Sequence, residues 1–163
     1  MRHTRRRGLL PEGILAGAAG GLAEVAWVSL YAGATGGDPT LLARGVTTAA
    51  GVSGLLPASP VALGVAVHMT LAMVLGVVLA FAWSALREAR PGLTNPYPLM
   101  LMALVGIWAV NFFVVLPIVS PAFVHLVPYT VSLTSKLLFG LAAATSLRWQ
   151  AASELQPVRL VRK

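Results

Sequence analysis

The chain of 163 residues has no cysteine, so disulfides, thiolate metal sites and a cysteine nucleophile are all excluded. Acidic residues are nearly as scarce, five in total with Asp38 the only aspartate. That single aspartate rules out intramembrane proteolysis by an aspartate pair. No Gly-x-Ser-x-Gly elbow, Walker loop or dinucleotide fingerprint occurs, and Ser29 and Ser53 have no His–Asp company. Hydrolytic chemistry therefore finds little support. Charged residues make up 10% of the chain, far below the quarter or so of an ordinary soluble domain.

What fills the space is apolar: 57% of residues are hydrophobic, concentrated in four long stretches. Each reaches the roughly 20 residues needed to cross the hydrocarbon. The expected spans are 13–33, 61–86, 97–116 and 126–147, joined by a long connection over 34–60. Ser59-Pro60 and Asn95-Pro96 read as a cap followed by a first helical proline. Pro117 reads as the end of the third span. The start of the fourth is open: Ser120-Pro121 could begin it, with Pro128 then kinking it. Within 34–60, Asp38-Pro39 suggests a helix start and Gly51 a stop, with Leu41, Leu42, Gly45, Val46 and Ala49 on one side. The expectation is a short helix on the membrane surface, or an ordered loop covering the bundle. The fold class expected is all-α, a single integral membrane four-helix bundle.

The net charge of +7 is distributed as a topology signal. All basic residues except Arg44 and Lys136 fall in the amino arm (Arg2, Arg5, Arg6, Arg7), the 87–96 loop (Arg87, Arg90) or the carboxyl tail (Arg148, Arg159, Arg162, Lys163). Positive loops stay inside, so both termini are expected in the cytoplasm of a bacterial-type inner membrane, as a multi-pass protein. Trp83, Tyr97 and Trp149 would mark the inner interface and Tyr31 the outer one. The lipid bilayer is the first partner, with anionic lipid at the cytoplasmic face a second. Nucleic acid is not expected, because no binding motif accompanies the charge. Arg5-Arg6 ahead of an apolar run also resembles a twin-arginine leader with Ala32-Gly33-Ala34 as cleavage site. The length of that run and Glu24 within it favour a retained span.

Three spans carry small residues four apart, the GxxxG spacing that lets helices approach closely. The first has Gly13, Gly17 and Gly21, with Glu24 next on that face. The second has Gly64, His68, Ala72 and Gly76, and the last has Ser132, Lys136 and Gly140. Each stripe thus holds one ionisable residue. Glu24 lies eleven residues from Gly13 and Lys136 eleven from Leu147, so both sit about 16 Å from the cytoplasmic boundary. Opposite charges at one depth on inward faces predict an ion pair. His68, Asn111, His125, Tyr129 and Ser132 complete an expected polar pocket opening outward.

Two metal readings rank below a hydrogen-bonded histidine. Haem ligation would need His68 and His125, about 10 Å apart in depth by helix rise. Copper could recruit Met69 and Met73 beside His68, although Met69 is turned well away from it. No metal site is expected, and no cofactor is specified. The leading functional expectation is a non-enzymatic membrane subunit or accessory protein, associating with itself or with other membrane subunits. A small transporter or proton-conducting unit using Glu24, Lys136 and His68 is the alternative, and a haem- or quinone-binding redox subunit a weaker one.

Overall fold

A computed structural model describes residues 2–38 and 40–154, with side chains for 8–38 and 40–153. Pro39, Arg159, Arg162 and Lys163 fall outside the described residues, as do the side chains of the amino-terminal arginines. The elements are α1 (Arg2–Thr35), α2 (Thr40–Ala49), α3 (Pro60–Ala89), α4 (Tyr97–Val119), α5 (Pro121–Val124) and α6 (Tyr129–Glu154). No strand occurs among the described residues. Four helices, α1, α3, α4 and α6, are long and apolar enough to cross a membrane.

Several boundaries differ from those expected, each for a local reason. The backbone of α1 is already helical at Arg2, because a helix need not stop where its apolar run stops. Ser59 and Pro60 do open α3, but the Ser59 side chain makes no capping bond; its carbonyl accepts the Leu63 N–H at 3.1 Å. Asn95 behaves otherwise, its Oδ1 accepting the Tyr97 N–H at 3.1 Å. Pro117 does not end α4. It has no N–H to offer the Phe113 carbonyl and its ring crowds that turn. The chain widens into a π turn over Asn111–Val115, where the Leu116 N–H reaches the Asn111 carbonyl, and continues to Val119. Pro128 does not kink α6 either, because it sits one residue ahead of Tyr129 and its carbonyl accepts the Val131 and Ser132 N–H groups. Ser120-Pro121 opens only the one-turn α5.

The central helix is α1, which packs against both α3 and α6; α4 packs against α6. Glycine decides how close the first pair comes. A Cβ added at Gly13 would lie 2.5 Å from the Val77 Cα, one at Gly17 would overlap the Ala72 carbonyl, and one at Gly76 the Gly17 backbone. Gly20 lies on the other side of α1, where a Cβ would meet the Phe139 ring at 2.6 Å. Helix α1 therefore has two small-residue faces, and the fours-apart count from Gly13 found only one. Gly64 serves neither: it clears room for the Ala43 carbonyl of α2. Gly140 faces α4 more loosely, with Leu101 and Met100 atoms at 3.3–3.5 Å from an added Cβ.

One end of the bundle is closed and the other is open. Leu79, Trp83, Met100, Leu104, Phe139 and Ala143 belong to one buried cluster that joins α3, α4 and α6. Trp83 belongs to this core, with the Arg87 guanidinium 5.8 Å from its ring, and is not an exposed belt residue. Trp149 is exposed. Toward the opposite end, α3 and α4 do not pack as a pair, and a cavity occupies the gap. Helix α2 lies over that end against α3 and α5. Leu42, Ala43, Val46, Ala49 and Ala50 line the cavity, whereas Leu41, expected on the same face, is exposed. Asp38 starts α2 by accepting the Thr40 hydroxyl and the Thr40 N–H, each at 2.8 Å. Those two bonds, the hydroxyl first, hold its carboxyl below the usual value.

Candidate functional site

The site forms where the two small-residue faces of α1 converge. Gly21 lies on the face toward α3 and Gly20 on the face toward α6, and Glu24 is three and four residues further on. Its carboxylate therefore stands between both neighbours. Lys136 Nζ on α6 lies 2.6 Å from Glu24 Oε1, and His68 Nε2 on α3 lies 3.6 Å from Oε2. Ser135 adds a long contact of 3.4 Å to Oε1 while donating to the Ser132 carbonyl at 2.8 Å. Glu24 is only 3% exposed. A carboxylate so withdrawn from solvent is tolerable when ionic and hydrogen-bonding partners surround it.

The cluster is not saturated. His68 Nε2 is buried and has no hydrogen-bond partner, since 3.6 Å exceeds bonding distance. The Lys136 ammonium has three N–H groups, and Glu24 is its one ionic or hydrogen-bonding partner among the described residues. Asn111 makes no side-chain hydrogen bond to a described residue. All three, with Glu24, Ser29, Ser132 and Ser135, line a cavity of about 650 Å³. Apart from Thr40, its other walls are apolar, including Leu71 and Leu75 on α3, Val115 and Val119 on α4, and Val46 on α2. The size falls within the roughly 300–1,000 Å³ of small-molecule sites.

Not every candidate reaches this place. His125 is exposed just after α5 and does not line the cavity, so it shares no centre with His68. Tyr129 is 47% exposed and belongs to an aromatic group with Trp108, Phe112 and Phe113, ring centroids 5.7–6.3 Å from its own. Ser132 does reach the wall, and it also ties α4 to α6 by accepting the Trp108 Nε1 proton at 3.0 Å. Asn111 faces the cavity from the first residue of the π turn. Met69 and Met73 are packing residues between α1 and α3: the Met69 sulfur lies 3.0 Å from a Cβ built on Gly21, and the Met73 Cα 2.6 Å from one on Gly17. Ser29 and Ser135 were missed as binding candidates. Ser135 neighbours Lys136 in sequence, and helical geometry alone would not aim both at one carboxylate.

Measured from the helix ends beside α2, Glu24 lies about 16 Å along α1 from Thr35, Lys136 about 10 Å from Tyr129 and His68 about 12 Å from Pro60. Beyond the cluster, the path toward the closed end meets the Gly17–Ala72–Gly76 contact and the fully buried Phe139, Ala143, Met100 and Leu104. The cluster is a floor. Comparison with protein-family models, with curated proteins and with solved structures finds no match to this chain, so its functional reading rests on this geometry.

Proposed function

We propose that the chain is a small, non-enzymatic membrane accessory protein or subunit that holds a membrane-soluble ligand in the cavity above Glu24, Lys136 and His68. The basic termini and the Arg87–Arg90 loop favour both ends in the cytoplasm of a bacterial-type inner membrane, with the cavity in the outer half. One observation carries the reading: an unsaturated polar cluster at the floor of an apolar-walled cavity of about 650 Å³, in a bundle closed beneath it. Intramembrane ionisable residues that face the bundle interior mark functional sites more often than lipid-facing decoration. Most described residues belong to the helices, which supports a role for the bundle itself and for what it meets in the membrane.

A proton-conducting unit is the second reading, favoured by three ionisable groups in sequence, Lys136, Glu24 and His68, at 2.6 and 3.6 Å. It needs a polar route to the other side, and the residues beneath Glu24 are apolar and closely packed. Proton flux into proteoliposomes separates the two. A binding subunit leaves flux at the protein-free level. Flux well above that level, lost in Glu24→Gln, would replace the proposal with the relay.

A further inference from the structure

We infer that the cavity takes an uncharged single-chain lipid whose head carries a hydrogen-bond-accepting carbonyl, seated at Lys136 and Asn111, with its chain leaving between α3 and α4. This deepens the ligand-binding reading and depends on it. The head is assigned by charge and by unused donors. Glu24 and Lys136 cancel one another at 2.6 Å, so a charged head would add a buried ion with no counter-charge. Most of what the cluster still offers is N–H groups, two on the Lys136 ammonium and two on the Asn111 amide, beside the Asn111 amide oxygen and the unpartnered His68 Nε2. With four N–H donors unused, donors predominate, and they favour a head that accepts. A carbonyl satisfies them without bringing charge.

The chain's route follows from exposure. Leu71 on α3 and Val115 on α4 both line the cavity, yet are 61% and 42% exposed at the bundle surface. The gap therefore opens sideways, toward hydrocarbon. The axial route is covered by α2, whose Ala43 carbonyl seats on Gly64. A ligand entering laterally comes from the bilayer, and its head must travel about 10 Å or more below the helix ends to reach Lys136. A charged or zwitterionic phospholipid head would leave the interface at high cost, whereas a small carbonyl head would not.

Native mass spectrometry of the full chain released from nanodiscs tests this with four ten-carbon probes at equal concentration. Decyl-ubiquinone and monodecanoylglycerol supply an uncharged carbonyl from a quinone and an ester source, decanoate an anion and decylamine a cation. The expected result is a one-to-one adduct with one or both uncharged probes, the stronger naming the source. That adduct falls at least tenfold in Leu71→Trp, which plugs the portal at an exposed position, and is unchanged in the lipid-facing Val114→Trp. Lys136→Met alone strands Glu24 and threatens folding, so the donor is removed in the paired Glu24→Gln/Lys136→Met variant, where the adduct also falls tenfold. Equal adducts in all variants would overturn the assignment. Tighter binding of decanoate or decylamine would overturn the uncharged head and leave the cavity as a ligand site. No adduct with any probe would remove both.

Discussion

At the scale of single residues, Glu24 is the one on which most depends. It is buried, and three of the groups around it, Lys136, His68 and Ser135, come from two different helices. Breaking such an arrangement from one side is costly, because the remaining charge is left without a partner; removing both charges is far milder. Lys136→Met should therefore lower stability by about 3–5 kcal/mol, and Glu24→Gln/Lys136→Met should recover most of it. SDS-driven unfolding in mixed micelles measures both. Equal losses in the single and paired variants would mean that Glu24 does not depend on Lys136. Legibility at this scale was uneven. Helical spacing placed Glu24, His68 and Lys136 on inward faces, because a period of 3.6 residues is a property of each helix alone. His125 and Tyr129 belong to the turn region around α5 and Pro128, where no such period applies.

Among the elements, α2 and α4 show how local chemistry sets the cavity's walls. In α4, Pro117 forces a π turn instead of a stop, and the turn begins at Asn111. A π turn adds a residue to the local repeat, so Asn111 sits in a different angular relation to Val119 than a regular helix would give. The sequence showed the proline and the asparagine but not their connection. In α2, the first turn hangs on Asp38, whose carboxyl is held low by the Thr40 hydroxyl and N–H. A carboxyl lowered in the folded state contributes fully above its unfolded value of 3.8, and its contribution is lost as pH falls through the lower folded value. The protection of the Thr40 amide, taken as its intrinsic exchange rate divided by the observed one, should accordingly be full at neutral pH and fall when the pH drops below 3.8 toward that lower value. Asp38→Asn keeps an acceptor oxygen without a titrating charge and should remove the pH dependence. Persistence of that dependence in the variant would assign it to another group.

For the whole molecule, which helices touch, α3 with α1, α1 with α6 and α6 with α4, matters more than the number of helices. Because α1 is central, it needs small residues on two sides; Gly17 meets α3 and Gly20 meets α6. Because α3 and α4 meet in the buried cluster of the closed end and do not pack as a pair toward α2, a space is left between them there. The lack of cysteine makes the orientation simple to test, since any introduced thiol is unique. Single cysteines at Ser153 and Gly54, both exposed, should react with a membrane-impermeant maleimide from opposite sides of sealed spheroplasts: Gly54→Cys without lysis and Ser153→Cys only after it. The reverse pattern would invert the proposed topology and move the cavity to the cytoplasmic half.

Four apolar runs, their small-residue spacing and the two opposite charges within them already determined a helical membrane chain with inward-facing ionisable groups. Hydropathy and helical period are summed along a chain, so they survive without a partner in view. Which helix neighbours which is not such a sum. It depends on steric fit between Gly17 and Ala72, Gly20 and Phe139, Gly64 and Ala43, and on a π turn that no single residue announces. Only that packing brought His68, Asn111 and Ser135 to Glu24 and Lys136, left His125 outside, and opened a cavity above them.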